Sequence, residues 1–329
     1  MLQRLIFAGS VIAGGLLLAL AGFVYYAYSP QPLPNTPYTF TIKSGSSVAS
    51  AAQQMQDAQV IQNRSLFVLL VRIMGKSSRI KSGLYTLEKP LSPRQLVALI
   101  VAGESTSRQI TVIEGWTFKQ FRAAINAHPD LKHDTVALSD AQILEKIDPS
   151  QAHPEGLFFP DTYAFEAGSS DFVVLKRAYQ TMQKRLATAW QQREPNLPLQ
   201  TPYQALILAS IVEKETGAAH DRDMIAGVFI NRLNQGMRLQ TDPSVIYGLG
   251  DQYNGNIRKI DLQTDTAYNT YTRDGLTPTP ISLPGAASLH AALHPAQTTA
   301  VYFVAKGDGS SHFSSNLTEH NRAVNRFQK

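Results

Sequence analysis

The chain has 329 residues, of which 43% are hydrophobic and 17% are charged, and its formal net charge is +5. This length allows two domains, each with a hydrophobic core of its own. The absence of cysteine excludes disulfide scaffolds, thiolate metal sites and thiol nucleophiles. The charge is modest and no basic run carries interleaved aromatic residues, so we expect no nucleic-acid binding.

The N-terminal part, residues 5–42, contains no Asp, Glu, Lys or Arg. Residues 5–27 are mostly apolar, and a helix of that length exceeds the ~30 Å hydrocarbon core of a bilayer. Arg4 precedes this run and the next positive charge is Lys43, so the positive-inside rule places the N-terminus in the cytoplasm and the remainder outside. We therefore predict a cytoplasmic tip and transmembrane helix over residues 1–28.

A cleaved signal peptide is the alternative interpretation of the same run. Ala19 and Ala21 offer a small-x-small cleavage pattern. The run is longer than the usual signal-peptide core of about 7–15 apolar residues, which favours the anchor. We expect single-pass attachment to the cytoplasmic (inner) membrane, with the rest of the chain on the periplasmic, extracytoplasmic side.

The next segment, residues 29–37, contains four prolines and is predicted to be a semi-rigid extended spacer. After it, the pattern predicts a strand, two helices and a second strand, at residues 38–42, 48–56, 65–74 and 83–87. Two helices enclosed by two strands make a compact βααβ module. Ser92 as N-cap and Pro93 at the first helical position begin a further helix.

Three further elements are predicted before the middle of the chain: a strand at 107–113 and helices at 117–127 and 139–146. We place a domain boundary near residue 148, where a polar interval ends at Asp148 and Pro149. This gives a module with a connecting region at 38–148 and a C-terminal domain at 149–329. The predicted fold class is α+β: a transmembrane helix, a βααβ module and a mixed α/β C-terminal domain.

In the C-terminal domain, a long helix is predicted at 171–190 and the clearest helix start is at Thr201. Thr201 and Gln204 have capping-box spacing, and Pro202 occupies the first helical position. Residues 205–212 are apolar on every side, which predicts a helix that is buried all round.

This buried helix runs directly into Glu213 and Glu215. At its C-terminal end both carboxylates meet the negative pole of the helix dipole and low-dielectric surroundings, and both effects raise a carboxyl pKa. A general acid that works near neutral pH requires such a pKa. At about 100° per residue the two side chains point roughly 200° apart, so they cannot form a dyad. A solvated or salt-bridged pair is the ordinary alternative.

Downstream of the acidic run, residues 221–234 predict an amphipathic helix that packs back on the first as a hairpin. Residues 237–248, 267–271 and 275–281 are predicted as long loops rich in Gln, Asp, Asn, Thr and Tyr. Amide and hydroxyl groups beside flat rings suit a carbohydrate groove. A strand at 300–305 is predicted near the end of the chain.

Other groups of residues give weaker evidence for a metal site or for catalysis. Four histidines of the C-terminal half are candidates for a metal site: His220, His294, His312 and His320. Their spacing fits no common zinc pattern, so we expect no metal and no cofactor.

Ser210 lies inside the apolar helix without a GxSxG motif, which argues against a serine nucleophile. Asp161 and Asp242 are the candidates for a second carboxylate if the chain is a two-acid glycosidase.

Several motifs are distributed over much of the chain. They are Glu155-Gly-Leu-Phe-Phe-Pro-Asp-Thr-Tyr163, Ala209-Ser-Ile-Val-Glu-Lys-Glu-Thr216, Val228-Phe-Ile-Asn-Arg-Leu233, Met237-Arg-Leu-Gln-Thr-Asp-Pro243 and Ala267-Tyr-Asn-Thr-Tyr271. Together they resemble the endolytic murein transglycosylase family (MltG, YceG-like). The loop at 275–281 departs from the G-L-P-P-G-P-I of many members by carrying threonines, which affects loop shape and subsite preference.

The resemblance implies a membrane-anchored lytic transglycosylase whose LysM-like module precedes a catalytic domain. It implies that nascent peptidoglycan glycan strands are cleaved internally and that Glu215 is the catalytic residue. We expect Glu215 to act as general acid and then as base at the MurNAc–GlcNAc bond, which leaves 1,6-anhydroMurNAc ends. Glu213 is then a supporting neighbour.

Sugar contacts are expected from side chains of suitable type in the predicted loops and the adjoining helix. These are Asn231, Gln240, Asp242, Tyr268, Asn269 and Tyr271. The expected partners are peptidoglycan glycan strands, the membrane and membrane-bound peptidoglycan synthases. Two alternatives remain open: a hydrolytic glycosidase with two carboxylates, and a non-catalytic peptidoglycan-binding scaffold.

Overall fold

The computed structural model describes residues 2–43, 45–103, 107–215 and 220–328, with only the backbone described for residues 2–13 and 107. By internal packing the chain divides into two compact units. The first comprises Met1–Arg108 with Ala164–Ala167, and the second comprises Gln109–Tyr163 with Gly168–Lys329. The packing therefore changes at Arg108, and the domain boundary near residue 148 stays a prediction.

The first unit contains the predicted strands and helices in the predicted order. They are α1 (Leu2–Tyr28), β1 (Tyr38–Ile42), α2 (Val48–Asp57), α3 (Arg64–Ile73), β2 (Gly83–Leu87) and α4 (Pro93–Ala102). β1 and β2 pair antiparallel with Phe40 opposite Tyr85, and these two rings stack with centroids 5.5 Å apart. The start of α4 is a closed capping box between Ser92 and Gln95, which explains why its position is readable from sequence.

The segment between α1 and β1 packs on this same unit. Gln31 is buried, its N–H donates to the carbonyl of Leu91 at 2.9 Å, and Leu33 packs against the hydrophobic core. Residues of the proline-rich segment are therefore held against the module, and its extended conformation stays a prediction. Within the part of the chain that the structure describes, no helix is both long and apolar enough to cross a membrane. The transmembrane helix and the LysM-like character of the module stay predictions.

The second unit is mostly helical. Strands β3 (Ser107–Thr111) and β4 (Thr162–Glu166), whose residues are divided between the units, form one pair. Strands β5 (Tyr302–Ala305) and β6 (Ser311–Ser314) form another, antiparallel pair. The helices are α5 (Phe118–Asn126), α6 (Asp140–Ile147), α7 (Asp171–Gln191), α8 (Pro202–Glu215), α9 (Arg222–Asn234), α10 (Asp242–Leu249), α11 (Lys259–Gln263), α12 (Ala286–Leu293) and α13 (Leu317–Phe327).

Helix α8 is the buried helix that the sequence predicts. Every residue from 205 to 212 is buried, and α7, α9, α10 and α12 all contact α8. The hydroxyl of Ser210 donates to the carbonyl of Ile207 at 2.7 Å and accepts from the N–H of Ile281 at 3.0 Å. Ser210 therefore fixes the chain that precedes α12, and its hydroxyl is not available as a nucleophile.

Residues 237–248 are not one long loop, because α10 begins at Asp242. Pro243 lies in its first turn, where proline is favoured, and Asp242 complements the positive pole of the helix dipole. Helices α12 and α13 were also missed. Asn316 is the N-cap of α13, and its side chain accepts from the N–H of Glu319 at 2.9 Å. Helix α9 is buried around most of its circumference, whereas the sequence predicts a single apolar stripe.

Candidate active site

Glu215 ends α8 and is held by a residue at the start of α10. Its Oε1 accepts a hydrogen bond from the hydroxyl of Thr241. Thr241 is buried and is the N-cap of α10, but its side chain makes no capping bond because the hydroxyl is turned to Glu215. The pKa of Glu215 is raised to about 7, mainly by burial; the hydrogen bond from Thr241 opposes the rise, the charge of Asp242 adds to it and the charge of Arg232 opposes it.

Arg232 supports this arrangement from α9. The residue is only 7% exposed. Its Nε donates to the carbonyl of Val301 at 2.7 Å, and its Nη1 donates to the carbonyl of Leu239 at 2.8 Å and to Oε1 of Gln240 at 3.3 Å. These bonds fix the turn that delivers Thr241 to Glu215. Arg232 is not predicted as a functional residue from the sequence, where a charged side chain among the apolar residues of α9 is the available signal.

Three of the predicted sugar-contact residues lie beside Glu215. The hydroxyl of Tyr271 donates to Oδ1 of Asp242 at 2.5 Å. Burial raises the pKa of Tyr271, and the charges of Asp242 and Glu215 add to that effect. The N–H of Gln240 donates to the carbonyl of Thr270 at 3.1 Å, which joins the two segments that carry these side chains.

The other three predicted sugar-contact residues have structural partners elsewhere. The amide of Asn231 donates to two backbone carbonyls just before β5, at 2.8 and 2.9 Å. Asn269 is buried, and its amide nitrogen approaches three backbone carbonyls of residues 261–264, the nearest at 2.7 Å. The hydroxyl of Tyr268 lies 2.9 Å from the hydroxyl of Thr279. These side chains fix loops, so their polar hydrogens are already engaged.

Glu213 has partners different from those of Glu215, as their angular separation predicts. Its Oε2 accepts from the N–H of Gly285 at 2.9 Å, which joins the end of α8 to the start of α12. Glu114 lies against the same glycine: a Cβ on residue 285 would meet Oε1 of Glu114 at 1.8 Å. Burial raises the pKa of Glu114, and the charge of Glu213 raises it further. Only glycine leaves room for this approach.

A second buried carboxyl group lies in the same unit. Glu155 is 6% exposed, and its carboxylate accepts from the N–H of Phe118 at 2.9 Å and from the hydroxyl of Tyr247 at 3.1 Å. Burial raises its pKa to about 7. Phe118 begins α5 and Tyr247 belongs to α10, so Glu155 ties together two helices. The sequence analysis quoted Glu155 as part of a motif and assigned it no role.

The two candidates for a second carboxylate differ in their surroundings. Asp161 is exposed, its Oδ1 accepts from the N–H of Thr162 at 2.8 Å, and it is not among the charges that act on Glu215. Asp242 is such a charge. In the ranges that the structure describes, no group of three or more His, Asp or Glu side chains is placed to hold a metal ion.

Comparison with known proteins gives concordant matches. The sequence model of the YceG-like family matches residues 40–326. The endolytic murein transglycosylase of Bacillus subtilis is 32% identical over 317 residues, which are 89% of this chain and 85% of that protein. The enzyme of the same name from Streptococcus pneumoniae is 26% identical, over 97% of this chain and 63% of its own length. The crystal structure of the yceG-like protein lmo1499 from Listeria monocytogenes matches with a TM-score of 0.54 and 31% identity, over 86% of this chain and 98% of that one.

Proposed function

Since the chain belongs to the YceG-like family, we propose that it is a peptidoglycan lytic transglycosylase that cleaves glycan strands internally, with Glu215 as its catalytic residue. The activity is supported by two relatives that carry the name endolytic murein transglycosylase. The assignment of Glu215 is supported by one observation above all, a carboxyl group with a pKa of about 7 held by Thr241 beside exposed polar side chains.

A pKa near 7 suits a residue that first donates and then accepts a proton. In the proposed reaction, protonated Glu215 gives its proton to the oxygen of the bond between N-acetylmuramic acid and N-acetylglucosamine, and the bond from C1 to that oxygen breaks. The carboxylate then takes the proton of the muramoyl C6 hydroxyl, whose oxygen closes on C1. The product is a 1,6-anhydro end, no water is consumed, and Glu215 returns to its protonated form.

Asp242 is the residue that a hydrolytic alternative would require. It is exposed and its charge acts on Glu215, so it is placed to activate a water molecule if the reaction is hydrolysis. Its Oδ1 already accepts from Tyr271, which favours a fixed supporting role instead. Anhydro ends and reducing ends differ by one molecule of water, so their masses separate the two reactions.

The location is a further part of the proposal. The uncharged run of residues 5–27 supports a single-pass anchor in the cytoplasmic membrane, with the cytoplasmic N-terminus preceding it and the chain from residue 29 onward on the periplasmic side. The βααβ order of the first unit supports a LysM-like module. An enzyme anchored there meets glycan strands where membrane-bound synthases release them, so we infer that such synthases are its partners.

The test uses the full chain in non-ionic detergent with purified peptidoglycan, and mass spectrometry of the products. We expect 1,6-anhydro ends from the wild type and a rate at least about 100-fold lower from Glu215→Gln, the range for loss of a general acid. Glu145→Gln, which removes an exposed carboxylate of α6, is the matched control and should retain full activity.

Each alternative outcome has a distinct meaning. Reducing ends that disappear in Asp242→Asn would establish hydrolysis in place of transglycosylation. Full activity of Glu215→Gln would exclude Glu215 as the acid whatever the product is. Binding of peptidoglycan without any cleavage would favour the non-catalytic scaffold.

A further inference from the structure

A basic groove lies between α7 and α12 in the second unit. Its volume is about 620 Å³, which is within the usual range of ligand sites, roughly 300–1,000 Å³. Three cationic side chains of α7 line it, Arg177, Lys184 and Arg185, and two histidines lie at the other wall, His290 and His294. None of the described residues that line it is acidic. A site of this charge favours an anionic ligand.

The walls of the groove are held in place by contacts of their own. His294 Nε2 lies 2.8 Å from the carbonyl oxygen of Gln192, and its ring stacks on His290 with centroids 4.3 Å apart. The guanidinium of Arg185 lies 4.3 Å from the centre of the Phe159 ring. Lys184 is exposed and forms no ion pair with any residue in the described ranges. Its charge is therefore free to act on a ligand.

Neutral hydrogen-bonding groups lie between the charges. Thr181 and Thr188 line the groove, and each hydroxyl donates to a carbonyl of its own helix, at 2.8 and 3.0 Å. Their oxygens are left as acceptors, which suits peptide N–H groups. Arg177 and Lys184 are seven residues apart, or about 10 Å along α7, the length of roughly three extended residues. The arrangement fits a short acidic peptide better than a single small anion.

One end of the groove adjoins the catalytic helix. Ala286 lines the groove and directly follows Gly285, whose N–H donates to Glu213, two residues before Glu215. The groove therefore lies on the side of the α8 end that Glu213 faces, whereas Glu215 has its partner, Thr241, in another direction. Among the described residues that line the groove, Leu289 is the only large aliphatic side chain, and it is buried, whereas a surface that binds lipid headgroups usually presents apolar side chains beside its cations.

We propose that this groove binds an acidic stem peptide of the peptidoglycan strand. The inference rests on the proposed function, because it takes peptidoglycan as the substrate. It adds a peptide subsite, with Lys184 as a specificity residue that contacts a peptide carboxylate.

Binding is tested apart from catalysis. A synthetic N-acetylmuramoyl tetrapeptide is titrated calorimetrically into the full chain carrying Glu215→Gln in non-ionic detergent. We expect Lys184→Glu to weaken binding about threefold to tenfold, the effect of reversing one exposed charge partner, and Lys184→Gln to give a smaller loss. Lys176→Glu is the matched control, because Lys176 is an exposed lysine of the same helix outside the groove lining; its binding should equal that of the parent.

A kinetic experiment compares the KM for intact glycan strands with the KM for strands from which an amidase has removed the peptides. The wild type should have the lower KM on intact strands, and Lys184→Glu should raise that KM without changing kcat or the activity on bare strands. Equal KM values on both strands, or equal peptide binding by Lys184→Glu and Lys176→Glu, would overturn the proposal. The proposal would also be overturned if the muramoyl peptide does not bind and the chain instead binds phosphatidylglycerol in the micelles. In that case Lys184→Glu would abolish the binding of phosphatidylglycerol. If no strand is cleaved at all, the proposed function fails, and the calorimetric result still decides whether the groove binds the stem peptide.

Discussion

Replacement of Thr241 by valine separates the hydrogen bond to Glu215 from the packing around it. Valine has nearly the shape of threonine, and residue 241 is buried, so the space stays filled. What is lost is the hydroxyl that donates to Oε1 of Glu215. This donor stabilises the carboxylate and thus lowers the pKa of Glu215, which burial otherwise raises.

The size and sign of the change in the pKa of Glu215 follow from the loss of this hydrogen bond. A hydrogen bond to a charged group is worth about 1.5–3 kcal/mol, and one pKa unit corresponds to about 1.4 kcal/mol. Thr241→Val should therefore raise the pKa of Glu215 by roughly one to two units above its value of about 7. In the proposed mechanism the protonated form is the general acid, so the wild-type activity should fall as the pH rises past about 7, and the variant should retain activity to a higher pH.

The assay is the dependence of kcat/KM on pH with glycan strands as substrate. Thr264→Val is the control, since its exposed hydroxyl donates only within its own turn, to the carbonyl of Ile260 at 2.8 Å. Its profile should coincide with that of the wild type. A Thr241→Val profile that keeps the wild-type alkaline limb, or moves it to lower pH, would refute the role given to this hydrogen bond.

Two further predictions concern buried polar groups away from Glu215. The pKa of Glu155 is about 7 in the folded protein and about 4.3 in an unfolded chain, so the folded state binds more protons between these pH values. The free energy of unfolding should fall as the pH rises through this window, by up to about 4 kcal/mol for this group, and urea titrations at pH 5 and pH 8 should show a smaller fall in Glu155→Gln. Ser210→Ala leaves the buried N–H of Ile281 without its acceptor, which should cost about 1–3 kcal/mol of unfolding free energy in the same assay.

The strongest local patterns predicted the elements that position the acid. The all-round apolar run of α8 led to a buried helix because no solvent-facing side was available for it. The opposed directions of Glu213 and Glu215 followed from helix geometry alone, and each carboxylate has its own partner: Gly285 for the first and Thr241 for the second. Both results depend on residues close in sequence.

The partners of the acid could not be predicted in the same way. Thr241 is 26 residues from Glu215, and nothing in the periodicity of either segment sets their register. The richness of residues 237–248 in polar side chains suggested a loop and concealed the start of α10. Glu155 and Tyr247 are 92 residues apart, so the hydrogen bond between this buried carboxyl group and the tyrosine hydroxyl is visible only in the folded chain.

The position of Glu215 between two helix ends suits the proposed mechanism, in which one carboxyl group serves both steps. The C-terminal end of α8, burial and the charge of Asp242 favour the protonated acid. The N-terminal end of α10, the hydroxyl of Thr241 and the charge of Arg232 favour the carboxylate. If only the first set acted, proton donation would be easy and the return of a proton from the sugar hydroxyl would be poor; the second set alone would have the reverse effect. A general acid that must also be the base requires both sets.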